Sequence, residues 1–177
     1  VHHRVKNNLQ VIISMLSLQA HQIQAPEFRT VFDDSIARIR TMALIHNLLY
    51  DSDNIAAINF PGYVSELCDK LADLYKIDPG RVAMRYEIDD IHLRIDTAVP
   101  CGLVINELVT NAFKHAFPER RAGSVTVSLK ESDGGRYRLR VADDGTGMPA
   151  DIDSQNEDSL GLTIARGLAE GQLEGTF

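Results

Sequence analysis

The stretch Asn106-Glu-Leu-Val-Thr-Asn-Ala-Phe-Lys-His-Ala-Phe117 is the part of the sequence that decides the fold. At 100° per residue, its apolar side chains share one face, and Glu107, Asn111 and Lys114 share another. A solvated face of an ordinary helix often has this pattern, but asparagine has a poor helix propensity for a central position. A carboxamide oxygen suits Mg²⁺, and a lysine one turn away suits a phosphate. The spacing therefore predicts an amphipathic helix whose polar face binds a ligand.

The segments on either side of this helix predict an all-helical part followed by a mixed α and β part. Residues 1–24 and 26–50 have the apolar periodicity of two long helices, and the polar residues 51–60 resemble a linker. After the linker the sequence predicts a helix over 61–76, strands over 82–89 and 91–96, the central helix over 98–117, a hairpin over 124–130 and 136–142, and a helix over 160–173. We therefore predict an α+β fold with two domains, residues 1–52 and 53–177.

Composition argues against two classes of partner. The 177 residues include 25 Asp and Glu against 18 Lys and Arg, a net charge of −7, whereas nucleic-acid binding needs a basic surface. The same charge gives no support for docking on an anionic membrane, and no apolar run is long enough to span one. Cys68 and Cys101 fit no metal or redox spacing, so we interpret both as reduced core thiols of a cytoplasmic protein.

The first helix carries two histidines that a helical wheel separates. His3 lies at the centre of the polar arc, with Asn7 one turn further on, whereas His2 lies at the edge of an apolar arc. Two apolar strips run along the helix, one made of Val5, Leu9, Ile12, Leu16 and Ile23 and the other of Val11, Met15 and Leu18. Two strips suit a helix in a bundle, so we expect the hairpin to be half of a four-helix bundle that a second copy completes.

A lone exposed histidine is usually just a solvated residue, but the local string around His3 is more specific. The string His-His-Arg-Val-Lys-Asn-Asn-Leu-Gln over residues 2–10 resembles the phosphoacceptor box of the HWE and type-2 HisKA histidine kinases. In that family the phosphorylated histidine directly precedes the arginine, which implies His3. The resemblance implies ATP-dependent autophosphorylation of His3, transfer to an aspartate of a response regulator, a homodimer, and a sensor domain upstream.

The neighbours of His3 suit this chemistry. A neutral imidazole is a good nucleophile near neutral pH, and Asn7 is placed to hold its other ring nitrogen. Arg4 and Lys6 are placed to neutralise an incoming phosphoryl group. Arg4 stands where commoner histidine kinases have an acidic residue, a candidate base. Activation must therefore come from elsewhere, and Asn7 and Glu107 are the candidates.

The central helix resembles the asparagine box of the Bergerat-fold ATPases, the superfamily of gyrase, the heat-shock chaperone, mismatch-repair proteins and histidine kinases. The resemblance implies a Bergerat-type α/β sandwich with a mixed sheet that binds ATP and Mg²⁺. It also implies that Asn111 binds Mg²⁺ and that Glu107 polarises water or aids transfer. Lys114 and His115 are expected to contact phosphates.

Two glycine-containing loops follow in the order that this superfamily has. Val141-Ala-Asp-Asp-Gly-Thr-Gly-Met148 resembles its first glycine box, which implies that Asp143 accepts the adenine amino group and that Gly145 and Gly147 let the backbone approach the base. Asp144 is the less favoured partner by register. Alone, an Asp-Gly pair is commonly just a turn.

Ser159-Leu-Gly-Leu162 resembles the second glycine box, which implies phosphate binding by Ser159, Gly161 and Leu162 near a helix start. We interpret the polar residues 149–158 as a mobile lid over ATP, and the last residues, 175–177, as the beginning of a truncated strand.

Two other interpretations stay open at this point. One is an anti-sigma-type serine kinase or regulatory binding module of the same superfamily, and the other is an inactive scaffold that uses the hairpin to dimerise. The helices before residue 52 argue against the first, because such modules lack them. Intact Asn111, Asp143 and paired glycines argue against loss of nucleotide binding.

Overall fold

The computed structural model describes residues 2–23, 25–50, 57–132, 134–147 and 160–177. The chain divides into two compact units, Val1–Asp53 and Asn54–Phe177. Within the described ranges, no helix is both long and apolar enough to cross a membrane.

The first unit is a pair of packed helices, α1 (His2–Gln22) and α2 (Pro26–Tyr50). Proline fits the first turn of a helix because its missing N–H would have no partner there, and this explains the start of α2. The two helices pack through an apolar cluster of Ile13, Leu16, Ala20, Phe32, Ile36 and Ile39. Farther along α2, Ile45 and Leu49 are buried.

The structure shows which side of α1 faces α2, a choice that the two predicted apolar strips left open. Leu16 of the first predicted strip packs in the cluster, but Ile12 of the same strip is 44% exposed, whereas its neighbour Ile13 is 5% exposed and belongs to the cluster. The second predicted strip, Val11, Met15 and Leu18, is exposed in the chain, with Leu18 at 69%. The helix therefore has one apolar side packed against α2 and a second that the chain leaves uncovered.

In the described residues, the second unit contains a mixed sheet and three α-helices. Its elements are β1 (Ile58–Asn59), α3 (Phe60–Leu74), β2 (Val82–Ile88), β3 (His92–Leu93), α4 (Ile95–His115), a 3-10 turn (Pro118–Arg120), β4 (Gly123–Ser132), β5 (Arg136–Asp143) and α5 (Leu160–Gly171). The main sheet has the order β2-β4-β5, with β2 parallel to β4 and β5 antiparallel to β4. β1 and β3 form a separate short antiparallel pair. The predicted α+β class with a mixed sheet is confirmed.

The core of this unit lies between one face of the sheet and the helices. On β4, Val125, Val127 and Leu129 are buried and alternate with more exposed residues, as a strand covered on one face requires. α3 contributes Val64, Leu67 and Leu71, all fully buried. α4 contacts α3, α5, β4 and β5, so it is the central element of the packing. This position explains why so much of α4 is buried.

Three predicted boundaries were wrong. The predicted linker over 51–60 contains β1, and α3 begins at Phe60 because the side chain of Asn59 accepts the Gly62 N–H (3.2 Å) as an N-cap. The strand predicted over 91–96 is limited to β3. α4 starts at Ile95 and not at Ala98, since the carbonyl of Arg94 already accepts the N–H groups of the first turn. Residues 51–56 lie outside the described ranges.

Both cysteines are buried thiols in the second unit, as the sequence predicted. Cys68 is on α3 and Cys101 is on α4. Burial raises the pKa of the Cys101 thiol to about 12. Burial, followed by the nearby Asp69 carboxylate, raises the pKa of the Cys68 thiol to about 12 as well. Both thiols are therefore protonated at neutral pH.

Candidate nucleotide site

The polar face of α4 runs from the core to the surface. Glu107 is only 8% exposed, Asn111 is half-buried, and Lys114 and His115, in the last turn, are exposed. A solvated helix face is the alternative interpretation of these residues, and the burial of Glu107 does not fit it. A carboxylate in this position needs partners, since a buried charge without them is costly.

One partner of Glu107 is a residue that the sequence analysis did not select. The side-chain amide of Asn106 donates a hydrogen bond from Nδ2 to Oε1 of Glu107 at 3.0 Å, and Asn106 is 3% exposed. The signal that could have identified Asn106 is its position on the buried side of the helix, where a carboxamide is unusual. The hydroxyl of Thr110 donates to the main-chain carbonyl of Asn106 at 2.8 Å.

Lys114 lies at the C-terminal end of α4, above the ring of Tyr75. Its Nζ is 5.9 Å from the ring centroid, a cation–π distance. Tyr75 is the C-cap residue of α3 and also packs against Phe113. Lysine and histidine in the last turn of a helix interact favourably with its dipole, so this turn suits Lys114 and His115 even before any ligand is considered.

The loop after β5 is docked onto the end of α4. The N–H of Thr146 donates to the carbonyl of Ala116 at 3.0 Å, and a Cβ atom on Gly145 would overlap Ala116. Glycine at 145 is therefore required for this close approach, a role the sequence analysis did not foresee. The N–H of Gly145 donates to Oδ1 of Asp143 at 3.0 Å. Gly147 has a positive φ of 73°, which glycine adopts readily.

Asp144, the neighbour of Asp143, serves to anchor this loop to β4. Its carboxylate accepts hydrogen bonds from the main-chain N–H of Ser124 (2.6 Å) and from the Ser124 hydroxyl (2.9 Å). These bonds, the main-chain one first, hold the pKa of the Asp144 carboxyl below its ordinary value. The guanidinium of Arg121 donates to the Asp144 carbonyl at 3.1 Å. The two adjacent aspartates therefore have different surroundings.

The second predicted glycine box is only partly within the described residues. α5 begins at Leu160 and packs on α4, with Gly161 buried and Leu162 half-buried. Ser159 and the predicted lid over 149–158 lie outside the described residues. The structure thus brings α4, the 143–147 loop and α5 together in one unit, with Asn111, Lys114, His115, Asp143, Gly145, Gly147, Gly161 and Leu162 on these three elements.

The predicted phosphoacceptor and its neighbour belong to the first unit. The backbone of His3 is in the first turn of α1, and its side chain lies outside the described residues. Asn7 is exposed on α1 one turn further on. It lies beside Gln10, Val11 and Ser14 along a shallow groove on the helix surface.

Two family models match the chain in succession, and the first extends past the helical pair to the end of α3. Residues 1–75 match the family model described as histidine kinase. Residues 96–177 match the model described as histidine kinase-, DNA gyrase B-, and HSP90-like ATPase. A helical pair followed by an ATPase domain of this class defines the core of a protein kinase that acts on histidine. The chain belongs to the histidine kinase family, as a core of the HWE and type-2 HisKA kind, and the family uses ATP.

The curated relatives are sensor histidine kinases. Sensor histidine kinase PdtaS of Mycobacterium tuberculosis is 36% identical over 181 residues, covering 100% of this chain and 35% of the relative. Blue-light-activated histidine kinase 2 of Erythrobacter litoralis is 32% identical over 173 residues, covering 97% of this chain and 49% of the relative. The chain thus spans between about a third and a half of these proteins.

Solved structures of the same family have the same fold. The blue-light activated histidine kinase of Erythrobacter litoralis matches with a TM-score of 0.66 and 30% identity, covering 96% of this chain and 53% of that chain. The histidine kinase domain from the same organism also matches with a TM-score of 0.66, at 24% identity, covering 92% of this chain and 85% of that chain. The predicted resemblance and fold class are confirmed by these matches.

Proposed function

We propose that this chain is the catalytic core that transfers the γ-phosphoryl group of ATP to His3 and then passes it to an aspartate of a response-regulator receiver domain. The observation that carries the proposal is the docking of the 143–147 loop on the end of α4. This docking gathers a carboxamide, a lysine, a histidine and a carboxylate on neighbouring elements. Such a set can bind both the base and the phosphates of a nucleotide.

In this proposal the two ends of ATP are bound by different elements. Asp143 accepts the adenine amino group, and its bond from the Gly145 N–H fixes the direction of the carboxylate. Lys114 and His115, exposed in the last turn of α4, contact the phosphates. The main chain at the start of α5, with Ser159, Gly161 and Leu162, adds amide donors at a positive helix end.

Magnesium would be held by the Oδ1 atom of Asn111 together with phosphate oxygens, and it would neutralise charge on the phosphates. An amide oxygen is a suitable ligand for this hard cation. Among residues 2–23, 25–50, 57–132, 134–147 and 160–177, no group of three or more His, Cys, Asp and Glu side chains is placed to hold a metal by itself. The half-buried position of Asn111 between Glu107 and Lys114 fits a single protein ligand.

The transfer step forms a bond from an imidazole nitrogen of His3 to the γ-phosphorus, and the bond from that phosphorus to ADP breaks. The imidazole loses its proton as the nitrogen–phosphorus bond matures. Asn7 orients the ring by a hydrogen bond, and Glu107 aids transfer as the candidate acceptor of the proton. In the second step the nitrogen–phosphorus bond breaks while a carboxylate oxygen of the response regulator forms the new bond.

Dimerisation in this proposal uses the uncovered side of α1. Val11, Met15 and Leu18 are all more than half exposed, and together they form an apolar strip along one side of α1. A second copy of the hairpin would cover this strip and complete a four-helix bundle. A sensor domain in the longer protein would act through these helices.

The test of the proposed function is to incubate the full-length protein containing this chain with γ-labelled ATP and Mg²⁺. An adduct that is labile in acid and stable in base is expected, and mass spectrometry should place it on His3. His3→Ala should abolish labelling while nucleotide binding survives, and His2→Ala is the matched control that keeps labelling. Labelling that survives in His3→Ala and disappears in His2→Ala would show that the phosphoacceptor is His2.

A further inference from the structure

Two buried side-chain polar atoms in the described part of the chain have no hydrogen-bond partner. They are the hydroxyl oxygen of Tyr63, on α3, and Oδ1 of Asn106, on α4. Buried polar groups in folded proteins are nearly always paired, so an unpaired donor and an unpaired acceptor in one core need an explanation.

Tyr63 and Asn106 belong to the same face of α4, the first by contact and the second by position. The hydroxyl of Tyr63 sits above Gly102, where a Cβ atom would overlap it. Asn106 is four residues beyond Gly102 and therefore one turn along the same face. Side chains on a helix lean toward its N-terminus, so we expect the carboxamide of Asn106 to extend toward Gly102 and the hydroxyl above it.

The two groups are chemically complementary. Burial, with smaller contributions from Cys101 and Cys68, raises the pKa of the Tyr63 hydroxyl far above its ordinary value, so the hydroxyl stays protonated and can donate. The nitrogen of the Asn106 carboxamide already has a partner, because Nδ2 donates to Oε1 of Glu107 at 3.0 Å. Rotating the amide by half a turn would bring two oxygens together, so Oδ1 must point away from Glu107 and is available to accept.

We propose that Tyr63, Asn106 and Glu107 form one buried polar link, in which the Tyr63 hydroxyl donates to a bridging water that donates to Oδ1 of Asn106, and Nδ2 of Asn106 donates to Glu107. Asn106 is then a positioning residue that aims the Glu107 carboxylate, and α3 supports it through Tyr63. The inference rests on the role proposed for Glu107. It also gives a reason for glycine at 102, since any side chain there would occupy the place of the hydroxyl.

The first test measures kcat and the KM for ATP of autophosphorylation in the full-length protein. Asn106→Leu, which keeps the volume and removes the amide, should lower kcat about tenfold with KM changed less than about twofold, the loss of one hydrogen bond to a charged group. Tyr63→Phe should lower kcat about threefold, the loss of one neutral hydrogen bond. Thr110→Val is the matched control, because this buried hydroxyl in the same turn bonds to the main-chain carbonyls of Asn106 and Glu107, and kcat should not change.

The combined variants separate positioning from general damage to the fold. In a Glu107→Gln background, Asn106→Leu should add no further loss, and Tyr63→Phe should add none to Asn106→Leu, because residues that act as one unit are non-additive. If each added substitution lowered kcat by its own full factor, so that the factors multiplied, the proposal would be overturned. If thermal melts show that Asn106→Leu does not fold, Asn106→Ser keeps a hydroxyl donor and should give a kcat between those of the wild type and Glu107→Gln. The proposal would also be overturned if Asn106→Ser and Tyr63→Phe each had the kcat of the wild type.

The second test does not depend on kinase activity, so it separates failure of the link from failure of the proposed function. The side-chain amide protons of Asn106 should exchange slowly with solvent in NMR spectra of the wild type. Glu107→Leu should speed this exchange, and Tyr63→Phe should shift the same resonances. Unchanged signals in both variants would overturn the link even if the protein is an active kinase. Changed signals in a protein that forms no phosphohistidine would uphold the link and refute the function.

Discussion

Asp144 accepts two hydrogen bonds from the single residue Ser124, one from its main-chain N–H at 2.6 Å and one from its hydroxyl at 2.9 Å. The contact joins the loop after β5 to the start of β4. Its effect is to hold the backbone of Asp143 and Gly145 in place before any ligand is bound, so the proposed adenine contact is largely pre-formed.

Asp144→Asn should therefore destabilise the second unit in a pH-dependent way. The pKa of the Asp144 carboxyl in the folded protein is below its ordinary 3.8, so its stabilisation is fully present above that value and is lost as the pH falls through the lowered folded pKa. We expect a melting temperature a few degrees lower than the wild type at pH 7, and a smaller difference below pH 3.8. Asp73→Asn, at an exposed aspartate on α3, is the control that makes the same substitution elsewhere in the second unit. A pH-independent difference for Asp144→Asn would contradict the assignment.

Gly145→Ala should break the docking of the loop on α4. The added methyl group would overlap the carbonyl and side chain of Ala116, so the loop must move, at a cost of about 1–3 kcal/mol in the free energy of unfolding. ATP affinity, measured by fluorescence titration, should fall with it. Gly167→Ala is the control, because that glycine is inside α5 with nothing near its Cβ position, and alanine should stabilise the helix by about 0.5–1 kcal/mol.

Gly102→Ala should destabilise the contact between α3 and α4 by about 1–3 kcal/mol, because its methyl group meets the Tyr63 hydroxyl. Tyr63→Phe removes the nearest atom, so the double variant should recover part of this loss in chemical denaturation. The ring carbon Cζ remains 2.9 Å from the Cβ position, and full recovery is therefore not expected. Equal destabilisation in the single and double variants would mean that the hydroxyl does not occupy this place.

Lys114→Ala should weaken ATP binding about tenfold, the equivalent of one charge-assisted hydrogen bond to a phosphate. The affinity for adenosine, which has no phosphates, should be unchanged. Lys70→Ala is the matched control, since Lys70 is an exposed lysine on α3 whose partner is Glu66 at 3.5 Å. Equal losses for ATP and adenosine would assign Lys114 to the fold and not to the phosphates.

Leu18→Lys should shift the first unit from dimer to monomer without unfolding it. Leu18 is 69% exposed, so a charge there leaves the cluster around Ile13 intact but cannot be buried by a second copy. Sedimentation equilibrium should detect at least a tenfold weaker dimer, the effect of about 1.4 kcal/mol. Gln19→Lys adds the same charge at an exposed polar position and should leave the dimer unchanged.

Local patterns in the sequence were sufficient for most of the elements. The bounds of α2 follow from Pro26 and the apolar period, and the hairpin follows from Gly134 and Gly135, whose φ values of 80° and 71° form the tight turn between β4 and β5. Motif order was sufficient to select α4 and the 143–147 loop, because each motif has a characteristic position after a helix or strand.

Features that depend on contacts distant in sequence could not be predicted. Ser124 is 20 residues from Asp144, and Ala116 is almost 30 from Gly145, so no local pattern indicates either contact. A helical wheel also could not decide whether Ile12 or Ile13 faces the partner helix. Two adjacent apolar residues both suit a bundle until the position of the partner helix is known. The proposed link through Asn106 could be recognised only from the position of Tyr63, on α3, above Gly102.

The two buried thiols provide a way to measure local opening of the second unit. Cys68 and Cys101 are the only cysteines of the chain, both belong to Asn54–Phe177, and the helical pair has none. A thiol-specific reagent should react slowly with the native protein, because both thiols are buried and protonated, and opening of the second unit should speed the reaction. The labelling rate would therefore measure the opening free energy of the ATPase unit alone, and its slowing with added ATP would measure nucleotide affinity without any catalytic turnover.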